Sequence, residues 1–134
     1  MTTTAIKLEA MTIRDARGEA IVEQLDLAVS VGRPLVIIGE TGSGKSLIAQ
    51  AILGLLPGGF AASGAIMIGR NPPIDAGDRA ALQRLWAREV MLLPQEPRAA
   101  LDPTMRVGRQ LGEAAGPSAP TPTDVLAAVG LSAE

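Results

Sequence analysis

The 134-residue sequence contains no cysteine and no histidine, and its only aromatic residues are Phe60 and Trp86. Without cysteine, the chain can form neither a disulfide framework nor a thiolate metal site or nucleophile. Hydrophobic residues make up 47% of the chain, but alanine supplies many of them, so most core side chains are expected to be small. The composition therefore predicts one modest hydrophobic core within the size of a single domain.

Long hydrophobic runs and concentrations of charge are also absent. The longest apolar runs, such as residues 35–38, are far shorter than the roughly 20 residues that span a bilayer. The first ten residues lack the basic start and the long apolar stretch of a secretory signal. The 12 basic and 14 acidic residues are interspersed and give a net charge of -2, which argues against a nucleic-acid partner because such binding needs a concentrated cationic surface. Any membrane role is expected to come through a partner.

Alternation of apolar and polar side chains predicts two β-strands near the N-terminus, at residues 5–13 and 20–31. Residues 15–18 between them, Asp-Ala-Arg-Gly, are typical of a turn that joins antiparallel strands. Residues 34–39 are apolar on both faces and rich in β-branched side chains. This pattern predicts a central strand of a parallel sheet that is covered by helices on both sides.

The rest of the chain predicts short strands and helices separated by glycine and proline. Two further strands are predicted at residues 65–68 and 90–93. After Pro94 the chain becomes rich in proline, which indicates a looser, mainly helical region. Helices are predicted at four places: residues 46–56, 79–88, 107–115 and 124–129.

A glycine-rich segment follows the predicted central strand and precedes the first predicted helix. It fits the pattern G-x-x-x-x-G-K-[ST] at every defined position, with the sequence Gly39-Glu40-Thr41-Gly42-Ser43-Gly44-Lys45-Ser46. Glycines allow successive backbone N–H groups to converge on a phosphate, and the start of a helix adds positive charge. Lys45 is placed to reach the β- and γ-phosphates of a nucleotide, and the Ser46 hydroxyl to ligate Mg²⁺. The sequence predicts a phosphate-binding loop, and a glycine-rich turn with a solvated lysine is the alternative.

The loop and its flanking segments resemble the ATP-binding subunits of ABC transporters, especially the oligopeptide, dipeptide and nickel importers. Three segments carry the resemblance: the loop with Leu47 after it, Ala51-Ile52-Leu53-Gly54-Leu55-Leu56-Pro57, and Ser63-Gly64-Ala65-Ile66. In addition, Gln95 in Leu-Pro-Gln-Glu-Pro falls where that family has its Q-loop, and residues 100–111 resemble the importer sequence that follows.

The resemblance implies that ATP and Mg²⁺ are the cofactors. It implies that Gln95 senses the γ-phosphate and the attacking water, and that Gln95 and Ser46 are ligands of Mg²⁺. Lys45 would act on the β- and γ-phosphates during catalysis. The implied nucleotide-binding residues form one continuous segment: Gly39, Glu40, Thr41, Gly42, Ser43, Gly44, Lys45, Ser46 and Leu47.

The fold implied by the resemblance is an α/β P-loop NTPase core with an antiparallel β-subdomain. The β-subdomain and core would occupy residues 1–97, and the start of a helical subdomain residues 98–134. The sequence ends before the family's Leu-Ser-Gly-Gly-Gln signature and Walker B strand, and it has no switch histidine. Asp102 and Glu113 are not expected to replace the missing carboxylates, because neither ends an apolar strand. The isolated chain is therefore expected to be a partial domain that does not hydrolyse ATP and is poorly soluble or partly unfolded.

The family usually stacks an aromatic side chain from the N-terminal sheet on adenine, but residues 10–17 contain none. Arg14 could stack its guanidinium plane on the base instead, or it could be an ordinary surface arginine.

Three functions remain open from the sequence. The first is an ATP-binding component of an ABC transporter that couples ATP hydrolysis to import of a peptide-like or metal-complex solute. It would pair with a second ATP-binding domain and bind integral membrane permease subunits at the inner face of the plasma membrane, without nucleic acid. The second is a P-loop kinase of small molecules, which would carry an arginine-rich lid. The third is a non-catalytic nucleotide-binding fragment of a split or truncated gene.

Overall fold

The computed structural model of the chain describes residues 3–86, 88–96, 100–114 and 120–132. The chain divides into two compact units, Met1–Leu92 and Leu93–Glu134.

Four strands form one antiparallel sheet in the first unit. β1 (Thr4–Arg14) pairs with β2 (Ala20–Ser30) on one side and with β3 (Ala61–Ile68) on the other, and β4 (Ile74–Asp75) pairs with β3. The order across the sheet is β2-β1-β3-β4. The predicted N-terminal hairpin and the predicted antiparallel part of the fold are both confirmed.

The turn between β1 and β2 is built around the side chain of Asp15. One of its carboxylate oxygens accepts the backbone N–H groups of Arg17 and Glu19, each at 2.9 Å. Gly18 has a φ of 82°, a left-handed conformation that favours glycine. The local sequence at residues 15–18 therefore specifies this turn, as predicted.

Helix α1 (Lys45–Ile52) contributes the buried side chains of Ile48 and Ala51 to the core. It ends four residues before the predicted end at Leu56, because Gly54 adopts a left-handed conformation with a φ of 67°. The Gly54 N–H then donates to the Ala51 carbonyl at 3.0 Å, and the Leu55 N–H to the Gln50 carbonyl at 2.8 Å. These two bonds satisfy the last carbonyls of the helix, so the glycine stops it before the Pro-Gly-Gly segment is reached.

The core of the first unit lies on one face of the sheet. Its fully buried side chains come mainly from β1 and β3, with α1 and α2 packed against them: Leu8, Met11, Ile13, Ile66, Ile68 and Leu82. α2 (Arg79–Gln83) is shorter than the helix predicted at residues 79–88. After α2 the chain turns, and the Trp86 indole N–H donates to the Leu53 carbonyl at 2.9 Å.

The strands predicted at residues 34–39 and 90–93 are not formed. Residues 33–40 have no regular structure, and Ile38 is 90% exposed. Val90 makes only an isolated bridge to Trp86, and Leu93 is 91% exposed. A central strand needs hydrogen-bonding neighbours on both sides, and none of the four described strands lies beside either segment. The prediction of strands here was wrong because apolar composition alone does not make a strand, and neither segment pairs with one of the described strands.

The second unit contains two helices, α3 (Val107–Ala114) and α4 (Pro122–Ala128). Both occur where helices were predicted, within two residues at each end. Thr121 and Asp124 form a reciprocal capping box at the start of α4. Throughout the described segments of both units, the helices are too short or too polar to traverse a bilayer.

Candidate functional site

The glycine-rich loop lies between β2 and α1 in the first unit, and its glycines have the conformations that this position requires. Gly42 and Gly44 have φ values of 87° and 84°, which side chains with a Cβ rarely adopt. Gly44 is buried against the hairpin, since a Cβ on it would lie 2.8 Å from Val22 Cγ2 and 3.3 Å from Ile21 Cγ2. The loop therefore packs against the start of β2.

The N-terminus of α1 is open to an anion. Gly44 is the N-cap residue and has no side chain to cap the helix, and the first turn contains no acidic residue. The first α-helical hydrogen bond is donated by the Ile48 N–H to the Gly44 carbonyl, at 3.0 Å. The N–H groups of residues 45–47 precede this bond, so they have no acceptor within the helix. These donors and the positive end of the helix dipole together favour binding of a phosphate.

The Lys45 ammonium lies within the loop. Its Nζ donates to the backbone carbonyls of Gly39, at 2.8 Å, and Glu40, and to the Ser43 hydroxyl at 3.2 Å. All three acceptors are neutral, so an anionic phosphate would offer the ammonium a stronger acceptor of opposite charge. The structure therefore places the Lys45 ammonium among the backbone carbonyls of the loop.

The remaining loop residues are mostly at the surface. Ser46 is exposed on the first turn of α1, and Leu47 beside it is half-buried. Glu40, Thr41 and Ser43 are exposed. The Ser46 hydroxyl is therefore accessible at the same helix end as Lys45.

Gln95 belongs to the second unit, where it lies exposed at a bend of the chain after Pro94. Pro97, the last residue of the predicted Q-loop segment, is outside the described residues. The role assigned to Gln95 stays a prediction.

Asp102 and Glu113 serve the local structure of the second unit, as predicted. The Asp102 carboxylate accepts the side-chain hydroxyl of Thr104 at 2.6 Å and its backbone N–H at 2.8 Å. These two bonds lower the pKa of Asp102 below its ordinary value. Glu113 forms an exposed ion pair with Arg109 on α3, with 3.0 Å between Oε1 and Nε. Within the described ranges, no three acidic side chains come together as a site for a metal ion.

The contact between the loop and β2 was missed by the sequence analysis. The need for glycine at position 44 signals a close approach of some neighbour, but nothing in the sequence says that Val22 and Ile21 supply it. The pairing of an N-terminal strand with a loop some 20 residues later is a tertiary contact that local patterns do not encode.

A family model described as ABC transporter matches residues 22–133, a range that includes both the phosphate loop and Gln95. The nickel import ATP-binding protein NikD of Brucella abortus is 40% identical over 102 residues, which cover 74% of this chain and 36% of NikD. The oligopeptide transport ATP-binding protein OppD of Bacillus subtilis is 31% identical over 111 residues, which cover 81% of this chain and 31% of OppD.

A Brucella ovis protein named for peptide import is 33% identical over 104 residues, which cover 73% of this chain and 31% of that protein. The chain thus spans about a third of the length of the curated relatives it matches. Because the family model matches most of the 134 residues and the matched range includes the loop described above, the chain belongs to the ABC transporter family.

Proposed function

We propose that the chain is the phosphate-binding portion of an ATP-binding component that couples ATP hydrolysis to import of a peptide-like or metal-complex solute. The observation that carries this proposal is the seating of Lys45 and the open N-terminus of α1 at a glycine-rich loop. The importer assignment is supported by the relatives, whose names refer to nickel, oligopeptide and peptide import.

The residues of the loop fit a Mg-nucleotide. The exposed backbone at Gly42, where a Cβ would meet nothing within 4 Å, leaves room for a phosphate beside the N–H groups of α1. Lys45 would hold the β- and γ-phosphates, and Ser46 would supply a hydroxyl ligand to Mg²⁺. When bound, Mg²⁺ neutralises charge on the phosphate oxygens. The nucleotide site would also be lined by Glu40, Thr41, Ser43 and Leu47.

We assign Gln95 the role of sensing the γ-phosphate and attacking water through its side-chain carbonyl, with a contact to Mg²⁺. Its exposure after Pro94 leaves the amide free to take part in such contacts. The support for this role is the position of Gln95 within the segment that matches the family.

The proposed partners are a second ATP-binding domain and integral membrane permease subunits, at the cytoplasmic face of the plasma membrane. Import requires a path through the membrane, and no helix in the described part of this chain could form one. Family membership favours this transporter function over a small-molecule kinase.

Catalysis is a separate question from binding. The 134-residue sequence contains no Leu-Ser-Gly-Gly-Gln motif and no histidine. We therefore expect the chain by itself to bind Mg-ATP without sustained hydrolysis, and a non-catalytic nucleotide-binding fragment is the second candidate function. Appending the downstream genomic segment is expected to restore turnover if the chain is one part of a transporter ATPase.

The proposal is tested by calorimetric titration of the 134-residue chain with Mg-ATP. Lys45→Ala is expected to weaken binding by about 10- to 100-fold, because it removes a hydrogen-bonded charge pair. Lys7→Ala is the matched control, since Lys7 is an exposed lysine on β1 that pairs with Glu9. The proposal fails if the wild-type chain does not bind Mg-ATP, or if the two variants bind it equally well.

A further inference from the structure

Gly44 is the one buried residue of the phosphate loop. Across residues 39–46, all of which the structure describes, the other positions are exposed or half-buried. A Cβ on Gly44 would lie 2.8 Å from Val22 Cγ2 and 3.7 Å from the Ile21 carbonyl oxygen. Gly44 therefore lies directly against β2, which is an outer strand of the described sheet.

The Val22 side chain is held in place on β2. It is half-buried and packs against the hydrophobic core of the first unit. Its register partner on β1 is Ile13, which is fully buried. Valine is branched at Cβ, so its χ1 angle has little freedom. Val22 therefore offers Gly44 a stiff apolar surface that is fixed to the sheet.

Gly44 is also the residue from which helix α1 begins. It is the N-cap of α1, and its carbonyl accepts the Ile48 N–H at 3.0 Å. The N–H groups of residues 45–47, which lie between these two residues, have no acceptor within the helix. Their direction depends on where Gly44 is held, and a binding site loses affinity when its donors are not held in the productive geometry. The contact with Val22 thus lies next to the donors that would bind phosphate.

We propose that Val22 is a positioning residue for phosphate binding, whose side chain fixes Gly44 and thereby aims the first N–H groups of α1 at the phosphates. This inference rests on the proposed function. Val22 acts through Gly44, so its contribution is to order the loop before the ligand arrives. Without that contact, the loop has to be ordered on binding, and the cost of ordering is subtracted from the binding free energy.

The test is calorimetric titration of the 134-residue chain with Mg-tripolyphosphate. This probe has no base, so a change in its affinity cannot come from a contact between a base and the hairpin. Val22→Ala is expected to weaken binding about 3- to 10-fold, the cost of ordering the loop. Val22→Thr should bind like the wild-type chain, because threonine keeps the branched Cβ and one methyl group, although its hydroxyl lowers Tm. Val29→Ala is the matched control, the same substitution at a half-buried position near the other end of β2.

Hydrogen exchange at the Ile48 N–H measures the position of Gly44 without any ligand. Val22→Ala should speed this exchange severalfold, because the Ile48 N–H donates to the Gly44 carbonyl. The Gly54 N–H, which donates to the Ala51 carbonyl at the other end of α1, is the internal control. A general loss of stability would speed exchange at both sites, whereas loss of the contact with Val22 should speed it at Ile48 alone.

Three results would overturn the inference. One is an unchanged tripolyphosphate affinity in Val22→Ala, and another is an equal loss in Val29→Ala. The third is a loss in Val22→Thr as large as that in Val22→Ala, because affinity would then follow stability and not the contact with Gly44. Failure of the proposed function looks different, because the wild-type chain would then bind neither Mg-ATP nor tripolyphosphate. The exchange of the Ile48 N–H would in that case decide whether Val22 holds the start of α1.

Discussion

Gly44 is the most constrained residue of the phosphate loop. Gly42 and Gly44 share a left-handed φ near 85°, at 87° and 84° respectively, but their surroundings differ. A Cβ on Gly42 would meet nothing within 4 Å, whereas a Cβ on Gly44 would lie 2.8 Å from Val22 Cγ2. Position 42 therefore requires glycine only because of its left-handed φ. Position 44 requires glycine also because a Cβ there would clash with Val22.

Alanine substitutions are expected to separate these two requirements. Gly42→Ala should lower the free energy of unfolding by about 1–2 kcal/mol, the cost of a left-handed conformation in a residue with a Cβ. Gly44→Ala should lower it further, because Val22 is β-branched and its χ1 angle has little freedom to move away. Urea denaturation of the two variants measures the difference. Equal losses, or a larger loss for Gly42→Ala, would contradict the seating of Gly44 on β2.

Short-range elements could be predicted from the sequence because their determinants are local. The β1–β2 hairpin follows from the alternation of apolar and polar side chains on either side of an Asp-x-x-Gly turn. The Asp15 carboxylate closes that turn by accepting the backbone N–H of Glu19, four residues later. The helices α3 and α4 also follow from local patterns. The phosphate loop itself could be located to the residue, since its motif combines a fixed spacing with fixed residue types.

Elements that depend on distant partners could not be predicted. Residues 34–39 have the composition of a buried strand, yet Val36 is 76% exposed because no described strand pairs with it. The end of α1 was predicted at Leu56, before the Pro57 stop, but the left-handed Gly54 ends the helix earlier, and the N–H groups of Gly54 and Leu55 donate the two capping hydrogen bonds. The contact between Gly44 and Val22 could not be predicted, because it depends on how β2 packs against the start of α1.

The capping box makes the stability of helix α4 depend on pH. Hydrogen bonds from the Thr121 hydroxyl and backbone N–H favour the ionised carboxylate of Asp124, and they lower its pKa below the ordinary 3.8. A carboxyl whose folded-state pKa is lowered stabilises the folded state above its unfolded pKa. That contribution is lost as the pH falls through the lowered value.

An NMR titration of the Asp124 carboxyl measures this effect. In the wild-type chain its midpoint is expected below 3.8, and Thr121→Val should raise the midpoint by removing the hydroxyl donor. Asp102, whose pKa is lowered by Thr104, is the internal control and should titrate at the same pH in both proteins. A midpoint for Asp124 that does not respond to Thr121→Val would refute the capping box.

Apolar segments at the surface are the main feature of the chain as a whole. Ile38 is 90% exposed in the first unit, and Leu93 is 91% exposed at the start of the second. Both segments have strand-forming sequences without strand partners among the described residues. Exposed apolar chain of this kind promotes aggregation.

A charged substitution at one of these positions is expected to improve solubility. Leu93→Glu should raise the soluble fraction severalfold without lowering Tm, because the side chain is already in water. Leu8→Glu is the matched control, since Leu8 is fully buried in β1 and an unpaired buried carboxylate should prevent folding. Ultracentrifugation and thermal unfolding measure both effects. A loss of folding in Leu93→Glu like that expected in Leu8→Glu, or a large fall in its Tm, would mean that Leu93 is a core residue.

The central claim is that the loop at the start of α1 binds the phosphates of Mg-ATP, and selective acetylation of lysine tests it most directly. The chain has only two lysines, Lys7 on β1 and Lys45 in the loop. Acetylation rates at both are measured by mass spectrometry with and without saturating Mg-ATP. Mg-ATP is expected to slow the acetylation of Lys45 at least tenfold, by an estimate from the strength of a charge-assisted hydrogen bond, and to leave Lys7 unaffected. If Lys45 is acetylated at the same rate in both conditions, the loop does not hold the nucleotide and the account is wrong.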